Sequence, residues 1–225
     1  MKPTLNTTTK EIIFPNIARE GVNIVILAFL IAAIVFAISS TLGILAVALA
    51  VGCFYFFRDP ERVTPTGKGL VISPADGIVL PIIETSMPDE LGGKGGYTRI
   101  CVFMSVLDVH VNRNPVSGTV LKTVYSEGRF VDVRQDKESE HNERSCTLYE
   151  VDGEKIGMVQ IAGYVARRII NRLEEGAKVA AGERYGLIKF GSRLDIYLPK
   201  DKYEVLVMPG QRMIAGETVL ARKKK

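Results

Sequence analysis

Residues 22–57 contain no charged side chain. Nothing else in the sequence restricts the fold as much. One helix over that stretch would run about 54 Å at ~1.5 Å per residue, against a bilayer hydrocarbon core of about 30 Å. A single span is therefore too long. Ser39, Ser40, Thr41 and Gly43 interrupt the apolar run, which predicts a helical hairpin with arms over 22–38 and 44–57. Each arm is shorter than the ~20 residues of a comfortable span, so local thinning or shallow insertion is expected rather than tilt. Lys2, Lys10 and Arg19 precede the stretch, and Arg58, Arg62 and Lys68 follow it. A hairpin returns to the side it left, and the positive-inside rule then places both flanks in the cytoplasm. Phe54, Tyr55, Phe56 and Phe57 form an aromatic end beside Arg58. A buried core hairpin is the competing reading. A signal peptide fits less well, because its charged start and apolar region are both shorter.

This gives three segments: a polar start over 1–21, a membrane-associated hairpin over 22–57, and a soluble domain over 58–225. The net charge of +4 equals the charge of the tail Arg222-Lys223-Lys224-Lys225 alone. The body is neutral, which argues against a nucleic-acid-binding face. The basic tail suits an anionic membrane surface, or serves simply as a solubilising terminus. Cys53, Cys101 and Cys146 are widely spaced. They make neither a disulfide framework nor a metal site, so no metal is expected and a reducing compartment is the default.

The soluble part reads as β-rich with minor helix. Short alternating or β-branched runs occupy 69–72, 77–83, 98–104, 118–125, 146–151, 155–161, 187–190 and 194–198. Asp76-Gly77, Gly92-Gly93, Gly95-Gly96, Asp152-Gly153 and Pro209-Gly210 separate them. A helix is expected over 165–173. The C-terminal third repeats a hydrophobic-x-x-Gly rhythm, ending at Gly182 and again at Gly216. Such tight turns suggest a barrel-sandwich fold of the biotinyl- or lipoyl-carrier kind. The fold class is thus a β-rich α+β, barrel-sandwich-hybrid-like domain after an apolar helical hairpin.

Candidate chemistry is sparse. There are two histidines. His110 lies in Asp108-Val109-His110-Val111-Asn112-Arg113-Asn114-Pro115, after an apolar strand, where catalytic groups often sit. His141 lies in a very polar run and is expected to be exposed. Asp76 precedes a glycine, as turn aspartates commonly do. Gly191-Ser192 lies between two strand-like runs and reads equally as a simple turn. No GxSxG elbow, P-loop, GxGxxG after a strand or HExxH occurs.

Taken in order, these segments resemble a known family. Phe57-Arg58-Asp59-Pro60-Glu61-Arg62 follows the apolar hairpin, and Ser73-Pro74-Ala75-Asp76-Gly77 comes next. The 108–115 loop, Glu140-His141-Asn142-Glu143-Arg144, Gln160-Ile161-Ala162-Gly163, Ala166-Arg167-Arg168-Ile169 and Phe190-Gly191-Ser192-Arg193 complete the series. The pattern resembles the short, prokaryotic type of phosphatidylserine decarboxylase over nearly the whole chain. The resemblance implies a proenzyme that breaks its own Gly191–Ser192 bond. The products would be a β chain, 1–191, and an α chain, 192–225, whose Ser192 becomes a pyruvoyl group. That group would form a Schiff base with the amine of a phospholipid substrate and serve as electron sink, so neither PLP nor metal is implied.

The serine hydroxyl is a weak nucleophile and needs a base. His110 is the candidate, with Asp76 orienting its ring, and His110 would also return the proton after CO₂ leaves. A glycine before the serine leaves the carbonyl uncrowded and the turn free. The longer type carries a second histidine where this chain has Arg113, so His110 is expected to serve both steps. His141 and Arg144 are candidates to line a head-group site, and Arg167 and Arg168 to meet lipid phosphate. Structural ion pairs are the competing reading for the arginines. Dimerisation is common in such enzymes and is expected from the resemblance alone. The same chemistry on an ether lipid is an alternative. So is a non-enzymatic, membrane-anchored carrier or adaptor, which would need a modifiable lysine such as Lys189.

Overall fold

The computed structural model describes residues 15–133, 141–163, 168–189 and 191–224. The chain divides into two compact units, with the boundary between Glu61 and Arg62. The first holds two helices, α1 (Val22–Ile38) and α2 (Ser40–Phe56). Ser39 alone breaks them. Its backbone is extended (φ −150°, ψ 118°) and its hydroxyl accepts from Leu42 N at 3.5 Å, capping α2.

The break is therefore one residue long, not five. Gly43 lies inside α2 and acts as a packing residue: a Cβ there would fall 2.4 Å from the Phe36 Cα. The small residue lets two apolar helices approach closely. The base of the hairpin is closed by Ala18 N donating to Phe57 O (2.8 Å) and Asp59 N to Asn16 O (2.6 Å). At 17 residues each, the helices span about 25 Å. No helix among the described residues is long and apolar enough to cross a membrane. Their apolar side chains are nonetheless largely exposed, Leu27, Leu30, Ile34, Leu45 and Leu49 among them.

The second unit is built of strands. In chain order they are β1 (Leu70–Ile72), β2 (Gly77–Val79), β3 (Ile83–Thr85), β4 (Tyr97–Met104) and β5 (Val111–Arg113). Then come β6 (Gly118–Ser126), β7 (Arg144–Val151), β8 (Glu154–Ala162), β9 (Ile169–Asn171) and β10 (Lys178–Val179). The last are β11 (Arg184–Ile188), β12 (Ser192–Pro199), β13 (Tyr203–Val205), β14 (Arg212–Met213) and β15 (Val219–Lys223). Among the described residues they form three sheets. A nine-stranded sheet runs β10-β6-β7-β8-β12-β4-β2-β14, with β3 also on β4. The small sheets are β1-β15-β13 and β5-β11-β9.

The main core lies between one face of the large sheet and the two small ones. It joins Ile100, Val102, Met158, Leu194 and Ile196 to Val71, Leu220, Tyr185 and Ile188. A smaller cluster covers the opposite face, with Cys146, Val159, Ile161 and Tyr197 against Met87 and Leu91. The unit is β-rich as expected, but the described strands close no barrel. Of the helix expected over 165–173, residues 165–167 lie outside the described residues and the rest is corrected. Residues 169–171 are β9, where Ile169 and Ile170 pair with Ile188 and Leu187 of β11. β-Branched side chains on a strand edge outweigh the helical spacing there.

Candidate active site

β12 is the central element. It pairs with β4 on one side and β8 on the other, so Ser192 faces both Met104 and Ala162. Alternation puts Ser192, Leu194 and Ile196 on the main-core face and Arg193, Asp195 and Tyr197 on the other. Ser192 is fully buried, and among the described residues its hydroxyl donates only a long contact, 3.9 Å to Met104 Sδ. Asn112 Nδ2 donates to the same sulfur at 3.7 Å and its Oδ1 accepts from Gln160 Nε2 at 2.9 Å. Thioether sulfur is a weak acceptor, so the hydroxyl is not locked in a strong bond. Gln160 Oε1 is buried with no hydrogen-bond partner among the described residues.

His110 reaches this end of the sheet by a tight turn after β4. Asp108 Oδ2 accepts from Ser105 N and Oγ (2.8 and 2.7 Å), and Asp108 N donates to Ser105 O (3.0 Å). Ile188 N, at the end of β11, donates to His110 O at 3.3 Å. Chain continuity from Ile188 then leads within four residues to Ser192. β4, β11 and β12 thus bring Met104, His110 and Ser192 to one end. The His110 side chain is fully buried, and Nδ1 lies 2.9 Å from the Asp108 carbonyl. A carbonyl only accepts, so in the neutral ring Nδ1 carries the proton and Nε2 is the basic atom.

Asp76 sits beside β5: Pro74 O accepts from Arg113 N at 2.9 Å. Its carboxylate accepts from Arg62 Nη2 (2.9 and 3.2 Å) and from Ala215 N (2.7 Å). The sequence assigns ring orientation to Asp76; at Nδ1 the ring meets the main-chain carbonyl of Asp108. Arg113, in the place of a second histidine, is buried and donates from Nη1 to Gly182 O at 2.9 Å.

Gly191 is a surprise. A Cβ on it would meet nothing within 4 Å, and it is not among the left-handed residues. Neither space nor backbone demands glycine there. Gly163 is the residue under steric demand. A Cβ on Gly163 would lie 2.1 Å from the Gly191 oxygen and 3.1 Å from its carbonyl carbon. No composition signal points to this; only the fold places the two glycines face to face.

The family profile of phosphatidylserine decarboxylase matches residues 49–221. A phosphatidylserine decarboxylase proenzyme of Ruegeria pomeroyi is 52% identical over 204 residues, covering 90% of this chain and 93% of its own. One of Cereibacter sphaeroides is 50% identical over 205 residues, covering 90% and 88%. The chain belongs to the phosphatidylserine decarboxylase family. It is an enzyme, a decarboxylase, and the carrier reading falls away. Lys189, which that reading required at an exposed tip, is half-buried at the end of β11.

For a phosphatidylserine decarboxylase, the other candidates are spread widely. His141 and Arg144 line a cavity of about 520 Å³ with Arg99, Arg193 and Asp195. This cavity lies on the face of β12 away from the Ser192 side chain. Arg144 Nε donates to Glu90 at 2.9 Å. Burial alone would raise the Glu90 carboxyl, but hydrogen bonds from the backbone and Arg144 outweigh it and hold the group below the usual glutamate range. Arg168 is exposed, with its carbonyl accepting from Lys189 N at 3.2 Å. Arg167 lies outside the described residues, as does Phe190. Burial pushes the Cys146 thiol up to about 12 and the Cys101 thiol further in the same direction. Neither is a thiolate near neutral pH. Among the described residues no group of His, Cys, Asp and Glu could hold a metal ion.

Sequence reasoning also missed the anchor next to Ser192. Arg193 is buried and binds Asp195 through two 2.7 Å bonds, while its Nη1 donates to Val133 O at 2.9 Å. Removing Arg193 leaves the buried Asp195 carboxylate with Arg99 Nε at 4.0 Å as its remaining ion-pair partner among the described residues, and breaking a buried pair is costly. Arg193→Ala is expected to lower stability by about 3–5 kcal/mol, read as a shift in the urea unfolding midpoint.

Proposed function

We propose that this chain is the precursor of a pyruvoyl-dependent enzyme. It cleaves itself between Gly191 and Ser192 and converts phosphatidylserine to phosphatidylethanolamine and CO₂. It acts at the cell membrane, with its catalytic unit on the cytoplasmic face and the α1–α2 hairpin as anchor. The observation that carries this reading is the convergence of Ser192 and His110 at one end of the large sheet, with the Gly191 carbonyl held against Gly163.

His110 Nε2 takes the Ser192 hydroxyl proton, and Oγ forms a bond to the Gly191 carbonyl carbon. The C–N bond breaks, the nitrogen takes the proton, and Gly191 is left as an ester on Ser192. Loss of the Ser192 α-proton expels the Gly191 carboxylate and gives dehydroalanine. Water then releases ammonia and leaves a pyruvoyl group at the head of β12. The residues present fit that group: its precursor is fully buried at a strand start, and its hydroxyl is held only by a thioether. A pyruvoyl carbonyl supplies an electron sink for the bond that loses CO₂. His110 Nε2 then returns a proton to the substrate carbon.

Intact mass tests the reading. The expected result is two polypeptides, 1–191 and 192–225, the smaller blocked at its N-terminus, in a preparation that releases CO₂ from phosphatidylserine vesicles. A single uncut chain with an ordinary serine at 192 overturns it. Gly163→Ala gives a second check. An added Cβ forces the Gly191 carbonyl to move, and a misplacement near 1 Å costs about 10²-fold in rate. Self-cleavage should slow by roughly that factor while the chain still folds; a time course by mass spectrometry reads it.

A further inference from the structure

We propose that the catalytic unit itself docks on an anionic lipid surface through the tip of the 105–108 turn, so that substrate enters beside His110. This rests on the reading of the substrate as a membrane phospholipid. The observation is a rigid turn that presents apolar side chains outward. Leu107 is 82% exposed and Val106 50%. Both lie between Ser105 and Asp108, which are bonded to each other through three hydrogen bonds. Arg212 Nη2 fastens the turn from outside, donating to Asp108 Oδ1 at 2.6 Å. A turn held this firmly does not expose leucine through looseness. Large apolar groups kept outward by a fixed backbone mark an interaction surface.

The neighbours agree. Arg212 pairs with Ile78 across β14 and β2, and Ile78 is 41% exposed. Ile214, two residues on and so on the same face as Arg212, is 39% exposed. The apolar tip thus continues into a small patch along the β2–β14 edge.

Charge favours an anionic surface over a neutral one. The carboxylates at this end, Asp76 and Asp108, are engaged by Arg62 and Arg212. Lys189 N donates to Arg168 O at 3.2 Å, one residue from the contact of Ile188 N with His110 O, so both add positive charge beside the His110 loop. With Arg62 and Arg212 spent on those carboxylates, Arg168 and Lys189 supply the positive charge that matches an anionic phospholipid surface. The same turn that carries Leu107 outward carries His110 inward three residues later. A lipid lifted at the tip therefore meets the buried site without crossing the unit.

The chain contains no tryptophan, so one introduced indole reports its own surroundings. Leu107→Trp and, as a second probe, Val106→Trp are placed in the full chain. Each is reconstituted in vesicles of phosphatidylglycerol, an anionic lipid with no serine carboxylate to lose, and phosphatidylcholine with brominated acyl chains. Leu121→Trp, on β6 at the far side of the large sheet, is the reference. The expected result is a blue shift and quenching at 107 and 106 but not at 121, stronger in anionic than in all-phosphatidylcholine vesicles. Quenching that is absent, or equal at 107 and 121, or unchanged by lipid charge, overturns the proposal. Intact mass on the same samples reports self-cleavage separately, so failure of docking is not confused with failure of the enzymatic reading.

Discussion

Ser192→Ala is expected to yield one uncut chain with no decarboxylase activity and almost unchanged stability. The first two outcomes follow from chemistry. Alanine has no oxygen to attack the Gly191 carbonyl, and no other side chain at the head of β12 can become a pyruvoyl group. The third follows from geometry. The hydroxyl's contact is a 3.9 Å approach to a thioether, and the residue's backbone stays in register with Met104 and Ala162. A substitution losing so little should fall within the ~0.5 kcal/mol typical of benign changes. Gel mobility, intact mass and urea unfolding test the three parts. A cut Ser192→Ala chain would place the nucleophile elsewhere.

His110→Gln has the second largest expected effect. Glutamine can still occupy the buried site, but it cannot take the Ser192 proton. General-base contributions run to about 10²–10⁴-fold, so self-cleavage should slow by that range. Any chain that does mature should be impaired again in decarboxylation, because His110 is assigned both proton transfers. Asp108→Asn offers a contrast. The Nδ1 partner is the main-chain carbonyl of Asp108, not its side chain. That variant should disturb the turn through Ser105 and Arg212 while leaving the basic nitrogen unchanged. Cleavage time courses separate the two. Equal loss in both variants would mean that turn position, not imidazole basicity, governs the reaction.

Much of this was legible in the sequence because it depends on local pattern. An uncharged stretch interrupted by Ser39 specifies two helices, and β-branched runs between glycine turns specify strands. The bond at Gly191–Ser192 and the candidates His110 and Asp76 stand in recognisable motifs. What stayed hidden depends on tertiary approach. Gly43 reads as a breaker until Phe36 is seen against it. Ile169 and Ile170 read as helical until β11 offers them an edge. Gly163 has no signature, since its importance is the distance to a carbonyl 28 positions away in the chain. The Nδ1 contact of His110 is to a backbone oxygen, which no residue type encodes. His141 and Arg144 group with the site by polarity; in the fold they line a cavity with Arg193 and Asp195, whose side chains leave β12 on the face opposite Ser192.

β12 runs through the middle of the nine-stranded sheet with a neighbour on each side. A cut at its first residue would therefore free a chain end without freeing the strand. The fragment also carries β13, β14 and β15, which serve two different sheets, so it would be woven in rather than attached. Such an enzyme would be assembled once. Its folding route would depend on a covalent connection between β11 and β12 that the mature protein would no longer have. After denaturation the two pieces would have to find each other as a bimolecular event, with a central strand missing from the larger one. The working lifetime of the mature enzyme would then be set by how slowly it unfolds, not by how readily it refolds.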